Sequence, residues 1–76
     1  MKGVKWLTER EVNAIRVQYP KGTRLVLDDM DDPYCPVPPG THGSVDLVDD
    51  QGQLHMKWDN GRTLALIIGV DHFHRE

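Results

Sequence analysis

The stretch Leu54-His55-Met56-Lys57-Trp58-Asp59-Asn60-Gly61-Arg62-Thr63-Leu64-Ala65-Leu66 constrains this chain most. Leu54, Met56 and Trp58 alternate with His55 and Lys57, the period of a strand with one buried face. Asn-Gly is the dipeptide that tolerates the positive φ angles of a two-residue type I′ turn. The segment therefore predicts a β-hairpin turning at Asn60-Gly61. Asp59 and Arg62 face each other across it, and Leu54, Met56, Trp58, Leu64 and Leu66 point into one core.

The rest of the chain extends this β reading. Thr23–Asp28 predicts a first strand with Leu25 and Leu27 inward, and Ser44–Asp49 a second with Val45 and Leu47 inward. Residues 29–43 hold four of the five prolines, so they predict a long irregular loop. Asp50-Gln51-Gly52 and Ile67-Ile68-Gly69 are turns, and Val70–His74 is a short last strand with Phe73 inward. Ahead of the strands, Thr8-Glu9-Arg10-Glu11 has the form of a capping box. It predicts a helix over Glu9–Gln18, with Val12 and Ile15 on one face and Pro20 beyond its end.

The expected fold class is mainly β: a small five-stranded SH3-like barrel with a short N-terminal helix. Closing such a meander removes exposed strand edges. Residues 1–18 form an N-terminal extension carrying the helix, and residues 19–76 the barrel domain. A chain of 76 residues allows one small core.

Charge is unevenly spread. Residues 1–27 carry six bases (Lys2, Lys5, Arg10, Arg16, Lys21, Arg24) against Glu9 and Glu11. Residues 28–50 carry seven aspartates and no Lys or Arg, within a net charge of −3. The acidic stretch disfavours nucleic acid as a partner, because binding to phosphate begins with a basic footprint. It reads as a solvated loop. A single cysteine, Cys35, excludes an intrachain disulfide and suits a reducing cytoplasm. No apolar run reaches the roughly 20 residues that span a bilayer, so no membrane association is expected.

Several motifs together resemble a known family. They are Tyr19-Pro20-Lys21-Gly22-Thr23-Arg24, Met30-Asp31-Asp32-Pro33, Pro38-Pro39-Gly40-Thr41 with Gly43, Trp58-Asp59-Asn60-Gly61, Leu64-Ala65-Leu66-Ile67 and Gly69-Val70-Asp71. The family is a bacterial domain of unknown function, common in Gram-positive bacteria and their mobile elements. The resemblance spans residues 19–74 and implies a small barrel. It brings no catalytic residues with it.

Chemistry-bearing clusters are sparse. His72 and His74 share one strand face, but Cys-x-x-Cys and His-Glu-x-x-His spacings are absent, so no metal or other cofactor is expected. Asp28-Asp29 and Asp31-Asp32 lack the pattern of a calcium loop. Cys35 with His42 or His55 would need a pocket to act as nucleophile and base. No nucleophile elbow, P-loop or dinucleotide fingerprint occurs. The expectation is a non-catalytic binding or adaptor module for a protein partner, with a nucleic-acid accessory role in a mobile element as the alternative. Its recognition residues would be Tyr34, Pro36, Pro38 and Pro39 in the proline loop, with Trp58 beside them. Trp58 also fits the core, since it shares a face with Leu54 and Met56.

Overall fold

The computed structural model describes residues 7–29 and 37–76. They form a helix, α1 (Glu9–Gln18), and five strands: β1 (Arg24–Asp29), β2 (His42–Val48), β3 (Gln53–Trp58), β4 (Leu66–Ile67) and β5 (His72–Arg75). All strand pairs are antiparallel and lie in one sheet ordered β4-β3-β2-β1-β5. The last strand pairs with the first, while β4 and β5 stand at the two open edges. The fold is thus mainly β with one short helix.

Helix α1 begins as its sequence predicts. The Thr8 side chain accepts the Glu11 N–H, and the Glu11 carboxylate accepts the Thr8 N–H in return. This satisfies donors that a helix start leaves orphaned. The helix packs on the sheet. Val12 is buried, Ile15 packs against the core cluster, and Arg16 Nε donates to the Val48 carbonyl at 3.3 Å. At its far end Tyr19 meets Phe73 edge-on, with ring centroids 5.9 Å apart, and the Arg75 guanidinium lies 4.8 Å from the Tyr19 centroid.

Both hairpins use the same three-residue loop. In the second, Gly61 N–H donates to Trp58 C=O, Trp58 N–H donates to Arg62 C=O, and Gly61 has φ +87°. In the first, Gly52 N–H donates to Asp49 C=O, Asp49 N–H donates to Gln53 C=O, and Gly52 has φ +79°. This is a type I turn completed by a glycine in the left-handed region. No non-glycine residue among those described has positive φ, so Asn60 is not in a type I′ turn as the dipeptide suggested. The difference matters for register. A loop closing on Trp58 and Arg62 places Leu54 opposite Leu66, and both are fully buried. A two-residue turn at Asn60-Gly61 would slip the pairing by one residue and turn one partner outward.

Other sequence expectations shift in instructive ways. Strand β2 starts at His42 rather than Ser44, because Gly43 pairs with Trp58 and lies under its ring. The strand expected after the turn shrinks to Leu66–Ile67. Part of the reason is that the Trp58 indole N–H donates to the Leu64 carbonyl at 2.9 Å, so that carbonyl serves a side chain. Leu47, expected inward, is 49% exposed. A β-bulge between Val45 and Leu47 reverses the alternation there. Val37, inside the proline loop, is buried in the main cluster with Leu25, Leu27, Val45, Leu54, Met56, Trp58 and Leu66.

Gly43→Ala tests the Trp58 contact. The added Cβ would sit 2.7 Å from Trp58 Cε3 and 3.1 Å from the Lys57 carbonyl oxygen. Overpacking of this kind costs about 1–3 kcal/mol, so chemical denaturation should show a loss of that size. Exposed Gly40→Ala, with open space around it, should lose less, its cost arising only from positive φ.

Candidate functional site

The expected recognition residues do not form one site among the described residues. Tyr34 and Pro36 lie outside them, as does Cys35. Pro38 and Pro39 are exposed, at a turn in which Thr41 N–H and Oγ1–H both donate to the Pro38 carbonyl. Trp58 is only 3% exposed and belongs to the core. Of the two roles its position suggested, the structure realises packing; the ring presents no surface for a partner. The reason is local, since Gly43 leaves the space that the ring fills.

The densest polar cluster is on the outer face of β1, β2 and β5. Arg24 Nη1 and Nη2 donate to the two Asp59 carboxylate oxygens at 2.9 and 2.6 Å, while Nη1 also reaches Ser44 Oγ and Nε reaches Glu76 Oε2 at 3.1 Å. His42 Nδ1 lies 2.8 Å from the same Glu76 oxygen. Asp59 was expected to face Arg62; instead Arg24 takes it in a bidentate pair, the geometry that guanidinium prefers. On the neighbouring row, His74 Nδ1 lies 2.8 Å from Asp28 Oδ1. Val26 sits between His42 and His74 as the cross-strand partner of both.

Other aspartates of the acidic stretch are engaged too. Asp50 pairs with Arg16 at 2.9 Å, and Asp46 lies 3.6 Å from Lys57 and 3.9 Å from Lys21. Asp49 accepts the N–H groups of Gln51 and Gln53 on one oxygen, and its other oxygen lies 2.8 Å from His55 Nε2. Outside that stretch, Asp71 is buried and accepts the Ile67 N–H at 2.8 Å. Much of the stretch read as a solvated loop is therefore joined to helix, turns and sheet.

The ionisation of these groups follows their neighbours. The hydrogen bond from Arg24 holds the Asp59 carboxyl below its usual range. Glu76 is lowered chiefly by its hydrogen bond with His42, then by Arg24. Burial opposes ionisation of Asp49, but the His55 contact and two backbone N–H donors outweigh it, and its pKa also falls. Among the described residues, the cluster has no enclosing cavity and no thiol. Its Ser44 hydroxyl is bound to a guanidinium rather than a base. Among the described residues, no three His, Cys, Asp or Glu side chains converge as a metal site would require.

Apolar surface is concentrated elsewhere. An open groove of about 380 Å³ runs between α1 and the turn joining β4 to β5. Leu7, Ala14, Ile15, Ile67 and Ile68 line it, with Glu11 and Gln51 as its polar members. Ile68 is 37% exposed. The turn is held by Val70 and Asp71 N–H groups, both donating to the Ile67 carbonyl, and by Gly69 at φ +87°. Because Asp71 occupies the Ile67 N–H, this groove offers side-chain burial more than a free strand edge. Sequence reasoning missed it, since its walls come from three separate segments.

The chain belongs to the domain-of-unknown-function family DUF4314, whose pattern matches residues 8–75. The match takes in the helix together with the sheet. No curated protein and no solved structure matches the chain. Among the described residues, no helix is long and apolar enough to cross a membrane.

The lowered carboxyl pKa values imply acid sensitivity. A group with a folded pKa below its unfolded value stabilises the fold above the unfolded value. That contribution is lost as pH falls through the folded value. Asp49, Asp59 and Glu76 all have this sign. The thermal midpoint should therefore fall as pH drops below about 4.5, where free carboxylates titrate. Arg24→Gln removes the main cause at Asp59 and should flatten that fall, measured by circular dichroism melts across pH.

Proposed function

We propose that this chain is a non-catalytic, cytoplasmic binding or adaptor module of SH3-like plan. It acts by docking a protein partner in the groove between α1 and the β4–β5 turn. The observation that carries this reading is the groove itself. Five apolar side chains share one open depression of about 380 Å³. Recognition surfaces place apolar area where a partner can exclude water. The order β4-β3-β2-β1-β5, with the last strand on the first, supports the SH3-like plan at the level of topology, which carries no function by itself.

The alternative, a nucleic-acid accessory protein of a mobile element, draws on Arg16, Lys21 and Arg24. Each of these lies within 4 Å of a carboxylate, at Asp50, Asp46 and Asp59 respectively. A basic footprint for phosphate needs several cations free of such partners, so the protein-binding reading is preferred.

Affinity capture from the native host tests the site. Ile68→Glu and Ala14→Glu place a charge on the groove wall and should remove the captured partner, while Tyr34→Ala and Pro39→Ala should retain it. Loss in the proline-loop variants with retention in the groove variants would move recognition to the loop. Capture that is unchanged in all four would overturn both surfaces.

A further inference from the structure

The Asn60-Gly61 dipeptide carries a chemistry that the packing does not use. An asparagine followed by glycine is open to attack on its own side chain, because glycine has no Cβ to shield its backbone nitrogen. Both residues are exposed at the tip of the second hairpin, so water and hydroxide reach them. The other asparagine of the chain, Asn13, lies in α1 ahead of Ala14, whose methyl group crowds the nitrogen. Its Oδ1 also accepts a hydrogen bond from Arg16.

The reaction is a cyclisation followed by hydrolysis. Gly61 N loses its proton to hydroxide and bonds to Asn60 Cγ, while the carboxamide nitrogen takes up a proton and leaves as ammonia. The resulting succinimide adds water at either of its carbonyls. One opening gives an aspartyl residue. The other gives an isoaspartyl residue, whose backbone runs through the former side chain and is one atom longer.

The closed loop opposes the first step. Gly61 N–H donates to the Trp58 carbonyl at 2.9 Å, so the attacking nitrogen is engaged as a donor. Asn60 occupies the third position of the type I turn that starts at Trp58, where ψ lies at about 0°. Ring closure needs Gly61 N eclipsed with Asn60 Cβ, whereas that ψ eclipses it with the Asn60 nitrogen. The side chain is tied as well, since Asn60 Oδ1 accepts the Arg62 N–H at 3.0 Å. Two contacts from other strands hold the loop shut. Arg24 clamps both Asp59 carboxylate oxygens at 2.9 and 2.6 Å, and Asp59 N–H donates to the His42 carbonyl at 2.9 Å.

We propose that Asn60-Gly61 is a modification site held closed by the hairpin loop, where spontaneous deamidation proceeds only when the loop opens. The rate then reports opening of the hairpin rather than the intrinsic reactivity of the dipeptide. Arg24, by clamping Asp59, is the latch. The change is not neutral for the loop. The isoaspartyl form lengthens the backbone that must fit between the Trp58 and Arg62 bonds. Either product adds a carboxylate next to Asp59, whose own charge already engages Arg24. An opposite behaviour is also defined by the geometry. If the Arg62 N–H polarised the Asn60 carboxamide toward attack, the folded chain would react faster than the unfolded one.

The full chain is incubated at mildly alkaline pH, folded in buffer and unfolded in urea. Its proteolytic peptides are then read by mass spectrometry, with the aspartyl and isoaspartyl forms separated. The unfolded chain should deamidate at Asn60 ahead of Asn13, and the folded chain should do so at least about tenfold more slowly. Arg24→Gln, incubated where circular dichroism shows it folded, should react about threefold or more faster than the unaltered folded chain. If Arg24→Gln does not fold, the folded-to-unfolded ratio of the unaltered chain decides. Equal rates in the two states, faster reaction in the folded state, Asn13 reacting first, or a folded Arg24→Gln no faster than the unaltered chain would each overturn the proposal.

Discussion

The packing of Trp58 on Gly43 is the contact on which the rest of the sheet depends. It joins the end of β3 to the start of β2, and it works because Gly43 has no side chain in the way. The buried indole N–H then needs an acceptor, and the Leu64 carbonyl supplies it. That bond draws the chain after the hairpin across the core, where Leu64 packs and Leu66 is fully buried. Glycine at the third position of each hairpin loop holds the register that lets these side chains meet.

Charge performs a second structural task. Asp28, Asp46, Asp49, Asp50 and Asp59 each meet a basic or imidazole partner, most of them distant in sequence. Exposed pairs of this kind contribute little one by one, typically under about 1 kcal/mol. Their use here is geometric. Arg16 ties α1 to the turn between β2 and β3, and Arg24 ties the second hairpin loop and the end of the chain to β1. Two of these pairs, Arg16–Asp50 and Lys21–Asp46, join the basic N-terminal third to the acidic middle of the chain. The largest open apolar depression described above is the groove between α1 and the β4–β5 turn.

The helix and its capping box, and the inward faces of β1 and β3, were legible in the sequence because they rest on local rules. Helix caps and strand alternation need only near neighbours in the chain. The candidate surfaces were far less legible. The groove draws Leu7, Ile15 and Ile68 from separate segments, and no spacing announces their meeting. Leu47 kept a perfect inward alternation on paper, while the bulge that exposes it is set by the pairing of β2 with β3. Of the proline-loop residues expected to recognise a partner, Pro38 and Pro39 are exposed, whereas Val37 beside them is buried.

The hairpin of Trp58 to Gly61 divides the two sources of information well. The sequence by itself determined that a turn lies there, that Leu54, Met56 and Trp58 share a face, and that Gly61 is its flexible point. It also carried the membership of the family. Only the tertiary structure decided that the loop has three residues, that Asp59 belongs to Arg24, and that Trp58 is core rather than contact. The physical reason is range. Dihedral preference and alternation act over a few residues, whereas a buried ring needs a vacancy on another strand and a carboxylate takes whichever cation the fold brings within reach.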